Sequence, residues 1–343
     1  MTQATIQSTG GKASGPPTGG TGVKTFFTSQ TFILFVVLVA MIALFAAINP
    51  RFLSLGVFGN ILVDWAPIAL IAVGQTFVIV SGGIDLSVGS TLTISGVVAA
   101  FAMQAATTGG VPDGLGIVIG IVVACAVGLA VGLVNAFLIN VAGLVPFIAT
   151  LVTLGAGAGL ALVLTRGGPI GGGPPSAIQL SVPWLGPLSW PGIVTIVIIT
   201  IAGLYLHKAK FGRYVFAIGG NAFAATAVGV SVRKQLTMVY GLSGLLAGAA
   251  GMVVYITLGA GSPSAGAGRE LLAIAAVVIG GASLSGGTGR MSGTVLGSLI
   301  LVTVTSGLIV INIDPNWNQV VVAIIIAIAV ALQMLRKSNR RTA

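Results

Sequence analysis

The segment 115–139, LGIVIGIVVACAVGLAVGLVNAFLI, carries no charged side chain. A helix of about 20 apolar residues crosses the ~30 Å hydrocarbon core of a bilayer, and several other stretches of this chain are as long and as apolar. The alternation of a membrane barrel is absent, so the spans read as helices, whose backbone groups are satisfied within one segment. Only 6% of residues are charged and 56% are hydrophobic, against roughly a quarter charged in a soluble domain. The chain therefore reads as an all-α integral membrane protein.

About ten transmembrane helices are expected, near 30–49, 58–80, 86–107, 115–139, 145–165, 189–206, 236–258, 271–283, 291–312 and 317–335. The eighth is short and reads as a broken or partly buried helix. With the N-terminus inside, this count places Lys12, Lys24, Lys208, Lys210, Arg213, Arg233, Lys234, Arg290, Arg336, Lys337, Arg340 and Arg341 on the cytoplasmic side. Only Arg51, Arg166 and Arg269 fall outside, together with Asp113, Glu270 and Asp314. That asymmetry follows the positive-inside rule and puts both termini in the cytoplasm. Residues 1–29 form a polar, Gly-, Thr- and Pro-rich tail that is expected to be disordered. It lacks the apolar core and cleavage site of a signal peptide. The membrane domain covers 30–335, and 336–343 form a basic cytoplasmic tail.

The formal net charge of +10 raises a nucleic-acid reading. The cations instead stand where loops meet cytoplasm and anionic lipid, so the bilayer is the expected partner and nucleic acid is not. Cys125 is the only cysteine, which excludes an intrachain disulfide and does not by itself build a metal site. The single histidine, His207, ends a span beside Lys208 and reads as interfacial. No catalytic or metal-ligating residues are assigned.

One short motif occurs twice. Residues 82–89 read GGIDLSVG and 280–287 read GGASLSGG, agreeing at Gly82 with Gly280, Gly83 with Gly281, Leu86 with Leu284, Ser87 with Ser285, and Gly89 with Gly287. Counted as five spans apart, the copies imply two inverted five-helix halves with broken or re-entrant helices. Asp85, one of five acidic residues in the chain, lies within the first copy between two apolar runs. An acid there serves as a coupling carboxylate, a substrate ligand or a helix cap. Ser283 occupies its place in the second copy. Serine caps a helix but does not carry a proton as aspartate does, which favours a cap and turn. Gly82, Gly83, Asp85, Ser87, Gly280, Gly281 and Ser283 are thus expected to form matched helix breaks, with the translocation path open as a second role.

The inside segment 207–235 is the longest cytoplasmic connection. Asn221 is a good N-cap, the alanines after it favour helix and Gly229 suits a stop. The pattern fits a short helix docking on a soluble partner, and equally a linker helix lying on the bilayer.

Together, SGGIDLSVGS, YVFAIGGNAFAATAVGV and AAVVIGGASLSGGTGRMSG resemble the permease subunits of bacterial ATP-binding-cassette sugar importers of the ribose, xylose and galactose group, over about residues 30–335. The resemblance implies a separate cytoplasmic ATPase that binds ATP and Mg, a periplasmic sugar-binding protein, and a second permease copy, identical or related. It makes Gly219, Gly220, Asn221, Ala224, Ala225 and Gly229 the segment coupled to the ATPase. The family often has charged residues just after the Asn, whereas this chain has Ala222 and Phe223, so Phe223 is a candidate anchor in the partner's groove. No phosphate-binding G-x-x-x-x-G-K-[ST] stretch occurs in the chain. An ion-coupled secondary transporter and an importer of a sugar-like signal are the alternatives. For the sugar path, Gln75, Asn135 and Phe137 are candidates, with interhelical hydrogen bonding and lipid packing as their structural alternatives.

Overall fold

The computed structural model describes residues 30–314 together with Trp317, Val320, Val321, Ala323, Ile324 and Ala327. Regular structure among them is helical, with two isolated bridges, Ile170 with Gly261 and Leu185 with Leu188. Eight helices are long and apolar enough to cross a membrane: α1 (Gln30–Ile48), α2 (Leu55–Val80), α3 (Val88–Thr108), α4 (Asp113–Asn140), α5 (Pro146–Thr165), α6 (Trp190–Lys208), α9 (Val232–Leu258) and α11 (Met291–Val310). Between α6 and α9 lie α7 (Lys210–Gly220) and α8 (Ala222–Ala227), and α10 (Arg269–Ile279) precedes α11. The first seven expected spans and the ninth are therefore full helices. The eighth is the short α10. Most of the tenth, and both tails at 1–29 and 336–343, lie outside the described residues.

The helices α2 and α9 pack along each other at the centre of the bundle. From Trp65 to Val80 every residue of α2 is buried. The surrounding helices repeat around this pair with the roles exchanged: α3 and α4, which follow α2, pack on α9, while α10 and α11, which follow α9, pack on α2. Because α2 is the second crossing and α9 the seventh, an odd offset separates them and the halves are inverted. The expectation of inverted halves thus holds, but through a different pair of breaks. The repeated Gly-Gly motifs follow the second and eighth crossings, so they lie at the same end of the bundle. The inversion instead relates the α2–α3 break to the α9–α10 break.

Close packing at the centre comes from α4. Its buried face carries Gly116, Gly120, Ala124, Gly128, Gly132 and Ala136, small residues spaced by four and so aligned along one helix face. Gly128 and Gly132 lie against Tyr240, Gly241, Gly244 and Gly248 of α9, backbone on backbone. Small-xxx-small faces allow such approach where the hydrophobic effect gives helices no reason to associate. The opposite face of α4 exposes Leu115, Val118, Ile121 and Val122, which suits acyl chains.

A Cβ on Gly128 would fall 2.7 Å from the Gly248 Cα. Gly128→Val is expected to cost about 1–3 kcal/mol, read as a lower thermal midpoint in detergent. Nothing lies within 4 Å of a Cβ built on Gly155 of α5, so Gly155→Ala is expected to raise the midpoint, by up to ~1 kcal/mol of helix propensity.

Candidate functional site

The break between α2 and α3 begins with a Schellman turn. Gly82, at φ +88°, donates its amide to Ile79 O, and the Gly83 amide reaches Val78 O at 2.9 Å. Glycine accepts this left-handed backbone without strain. The chain then folds back into the bundle. The Gln75 side-chain amide, oriented by its partners, donates to Asp85 O at 3.1 Å and accepts from Asp85 N at 3.2 Å. Gln75 stands five residues before the end of α2, so Asp85 lies about 7.5 Å inward from that end.

Asp85 is 1% exposed. Its Oδ1 accepts from Ser87 N at 2.9 Å and Ser87 Oγ at 2.6 Å, and its Oδ2 accepts from Ser243 Oγ of α9 at 2.9 Å. Ser87 Oγ in turn accepts from Asn135 Nδ2 of α4 at 2.8 Å, and Asn135 Oδ1 accepts from Thr153 Oγ1 of α5 at 2.6 Å. Every donor in this chain points toward the carboxylate, which strengthens each bond. Asp85 thus caps the turn that leads into α3, where Ser87 is the helical N-cap. It also ties α3 to α4, α5 and α9. The Tyr240 hydroxyl of α9 lies against Gly83, buried and without a hydrogen-bond partner.

The second copy builds the same turn at lower stakes. Gly281, at φ +94°, donates to Val278 O, and the Ala282 amide reaches Val277 O. Ser283 Oγ lies 2.7 Å from Ser285 Oγ and accepts from Ser285 N at 3.3 Å, repeating the geometry of Asp85 with Ser87. Ser285 is exposed and Ser283 half-buried, so a neutral hydroxyl suffices there. Gly280 packs on Gly293 at the start of α11.

The third motif docks on both breaks. Asn221 Oδ1 accepts from Ala224 N at 3.0 Å, capping α8, and Gly229, at φ +86°, ends it. Gly219 sits against Val80 O and Gly287 N, and Gly220 against Gly287. The Gly287 amide donates to Val80 O at 2.9 Å, and Gly286 fits between Gly219 and Gly82. The three glycine motifs of the sequence meet here: the end of α7, which leads into α8, abuts both the end of α2 and the 280–289 loop. Ala225 is 4% exposed and packs with Ile218 and Val230, while Phe223 is 86% and Val228 79% exposed. The outward face of α8 therefore belongs to Phe223 and Val228, with Ala224 exposed beside them, and Ala225 holds the helix to its base.

The inversion-related break runs from Gly259 to Gly268. Gly259, at φ +69°, ends α9. The Gly261 amide then donates to Ile170 O, and the Gly266 amide to Thr93 Oγ1 of α3, both at 2.9 Å. Gly266 and Glu270 both face Gly89 in the first turn of α3. This segment re-enters the bundle, and with the short α10 it completes the eighth crossing. Glu270 and Arg269, expected in an outer loop, instead open α10 inside the bundle. A Gly- and Ser-rich re-entrant stretch with two charges looks in sequence like any exposed connection. Arg269 interacts electrostatically with Asp64 of α2.

Of the candidate sugar-path residues, Gln75 and Asn135 are fully buried and bonded to the α2–α3 break, while Phe137 is 58% exposed on the outer side of α4. The structure does not bring the three together. Sequence reasoning missed Thr153, Ser243, Thr93 and Tyr240. Their signal is a lone polar group among small residues inside an apolar span, as in YGLSGLLAG around Ser243.

A multi-pass helical bundle with paired re-entrant breaks and a capped helix outside the spans suits a membrane permease. Residues 57–330 match the family described as the permease component of the branched-chain amino acid transport system, and the chain belongs to that family. It is 42% identical to the ribose import permease protein of Bacillus subtilis over 301 residues, covering 87% of this chain and 91% of that protein. It is 38% identical to the ribose import permease protein of Escherichia coli K12, covering 86% and 91%. It is 35% identical to the D-allose transport system permease protein of the same strain, covering 88% and 90%. No solved structure matches the chain.

The network yields a direct test. Asp85→Asn keeps an acceptor for Ser87, and Ser243 can turn to accept from the new amide. Asp85→Leu strands buried donors at a cost of about 1–3 kcal/mol each. The Asn variant is expected to insert and to unfold near the wild-type midpoint, and the Leu variant to lose yield or midpoint in detergent. Equal midpoints for the two would contradict the capping role.

Proposed function

We propose that this chain is the membrane-spanning permease of an ATP-binding-cassette importer. It passes a monosaccharide, pentose or hexose, from a periplasmic binding protein across the bacterial inner membrane. Both termini are cytoplasmic in this reading, which the basic residues at one end of the bundle support. ATP and Mg are bound by a separate cytoplasmic ATPase, and a second permease copy completes the pore. The observation that carries this reading is the likeness to ribose and allose permeases over most of the chain. It is supported by the docking of Gly219 on Val80 and Gly287. In this reading α8 presents Phe223 and Val228 to the ATPase, and nucleotide-driven motion of α8 reaches α2 and α11 through glycine backbones. Gly82, Gly83, Asp85, Ser87, Gly280, Gly281 and Ser283 form the hinge of that transmission. Substrate passes along the re-entrant breaks, beside Gln75 and Asn135.

Reconstitution with the ATPase and binding protein is expected to give ribose uptake that requires ATP. Uptake driven by a proton gradient without any ATPase would overturn the reading in favour of a secondary transporter. Competition by other sugars and by sugar-like signals identifies the ligand class. Phe223→Asp should reduce uptake at least tenfold while leaving insertion and thermal midpoint unchanged, because the side chain is exposed. Ala225→Asp should instead lower the midpoint, because its site is buried.

A further inference from the structure

A groove of about 720 Å3 separates α6 from α11 at the basic end of the bundle. It takes no part in the Asp85 network or the glycine junction. Its walls are apolar, with Ile199 and Leu204 on α6 and Val295 and Leu296 on α11. Its mouth carries Lys208 and Arg290, both exposed and both within electrostatic reach of His207. The His207 Nε2 accepts from the Met291 amide at 3.3 Å, so the imidazole joins the two helices at the top of the groove.

The dimensions and charge select an occupant. From Ile199 to Lys208 the α6 wall rises nine residues, about 13.5 Å, close to the ~15 Å half-thickness of a bilayer's hydrocarbon core. The groove is therefore one leaflet deep, apolar below and cationic at headgroup level. Leu204 is 57% exposed, so it opens sideways toward acyl chains. The acidic residues of the chain lie elsewhere: Asp113 bonds Ser176, Asp85 is enclosed in its network, Asp64 and Glu270 flank the start of α10, and Asp314 follows the far end of α11. Among the described residues, no carboxylate lies beside the two cations. Basic pockets between spans on the cytoplasmic side suit anionic headgroups. A free sugar or nucleotide would leave the apolar walls unmatched.

We propose that this groove binds one anionic phospholipid, its phosphate between Lys208 and Arg290 and an acyl chain along Ile199, Leu204, Val295 and Leu296. The site bridges α6, which runs on into the coupling segment, and α11, which follows the 280–289 loop. Bound lipid fixes the spacing between α6, which leads into α7 and α8, and α11, which follows the loop that Gly219 and Gly220 contact. The proposal is independent of which solute the permease carries.

Native mass spectrometry of the full chain, titrated with phosphatidylglycerol, tests it. One tightly held phosphatidylglycerol per chain is expected, with phosphatidylcholine at least tenfold weaker. The double variant Lys208→Gln with Arg290→Gln should lose roughly 30-fold in affinity, about fivefold per cation, and Lys208→Arg should keep it. Leu296→Trp, which fills the apolar wall, should also weaken binding. Thermal midpoints of all variants establish that each is folded. Equal retention of the two lipids, or undiminished binding in the double variant, would overturn the proposal. Displacement of the lipid by millimolar inorganic phosphate would also overturn it, in favour of a free-anion site.

Discussion

A helix that stops inside a membrane leaves backbone groups with no water to receive them, at several kcal/mol for each one unsatisfied. Meeting that demand between Val80 and Val88 shapes much of this structure. The Schellman turn satisfies the carbonyls at the end of α2, Gln75 pairs with both backbone groups of Asp85, and the Asp85 carboxylate takes the Ser87 amide. The same carboxylate gathers Ser243 directly, and Asn135 and Thr153 through Ser87. One local obligation therefore fixes the relative placement of five helices.

The second organising contact is made without side chains. Gly219, Gly286, Gly287 and the carbonyl of Val80 meet at a point where any Cβ would intrude. Backbone-to-backbone contact is stiff, because no rotamer yields between the parts. The end of α7 therefore sits firmly on the end of α2 and on the 280–289 loop. The ladder of small residues on α4 has the same character, holding α9 at a distance that larger side chains would forbid.

Much of this was legible in the sequence. Apolar run lengths gave the first seven spans and the ninth, Asn221 and Gly229 marked the ends of α8, and Asp85 showed itself as a turn-forming acid, two residues ahead of Ser87, the N-cap of α3. The inverted relation of the halves was legible only as a possibility, and its true partners were not. The α9–α10 break shares with its counterpart a left-handed glycine after the central helix and little residue pattern, whereas the two Gly-Gly motifs resemble each other in pattern and lie at one end. The segment 259–270 reads as a loop because Gly, Ser, Arg269 and Glu270 are loop residues. Only packing against Gly89 and Thr93 reveals it inside. Gln75, Asn135 and Phe137 could not be sorted, since composition does not say which face of a helix is inward. The small residues of α4 at 116, 120, 124, 128, 132 and 136 carried that information for their own helix through their spacing.

The direction of the hydrogen bonds around Asp85 bears on the energy source. A proton wire needs groups that can receive a proton on one side and release it on the other. Here every donor points inward to one carboxylate, and the link through Asn135 is a side-chain amide, which does not relay protons. A proton reaching Asp85 along this chain has no onward route through it. The network is a terminus, suited to anchoring and unsuited to conduction, so a proton gradient gains no path through it.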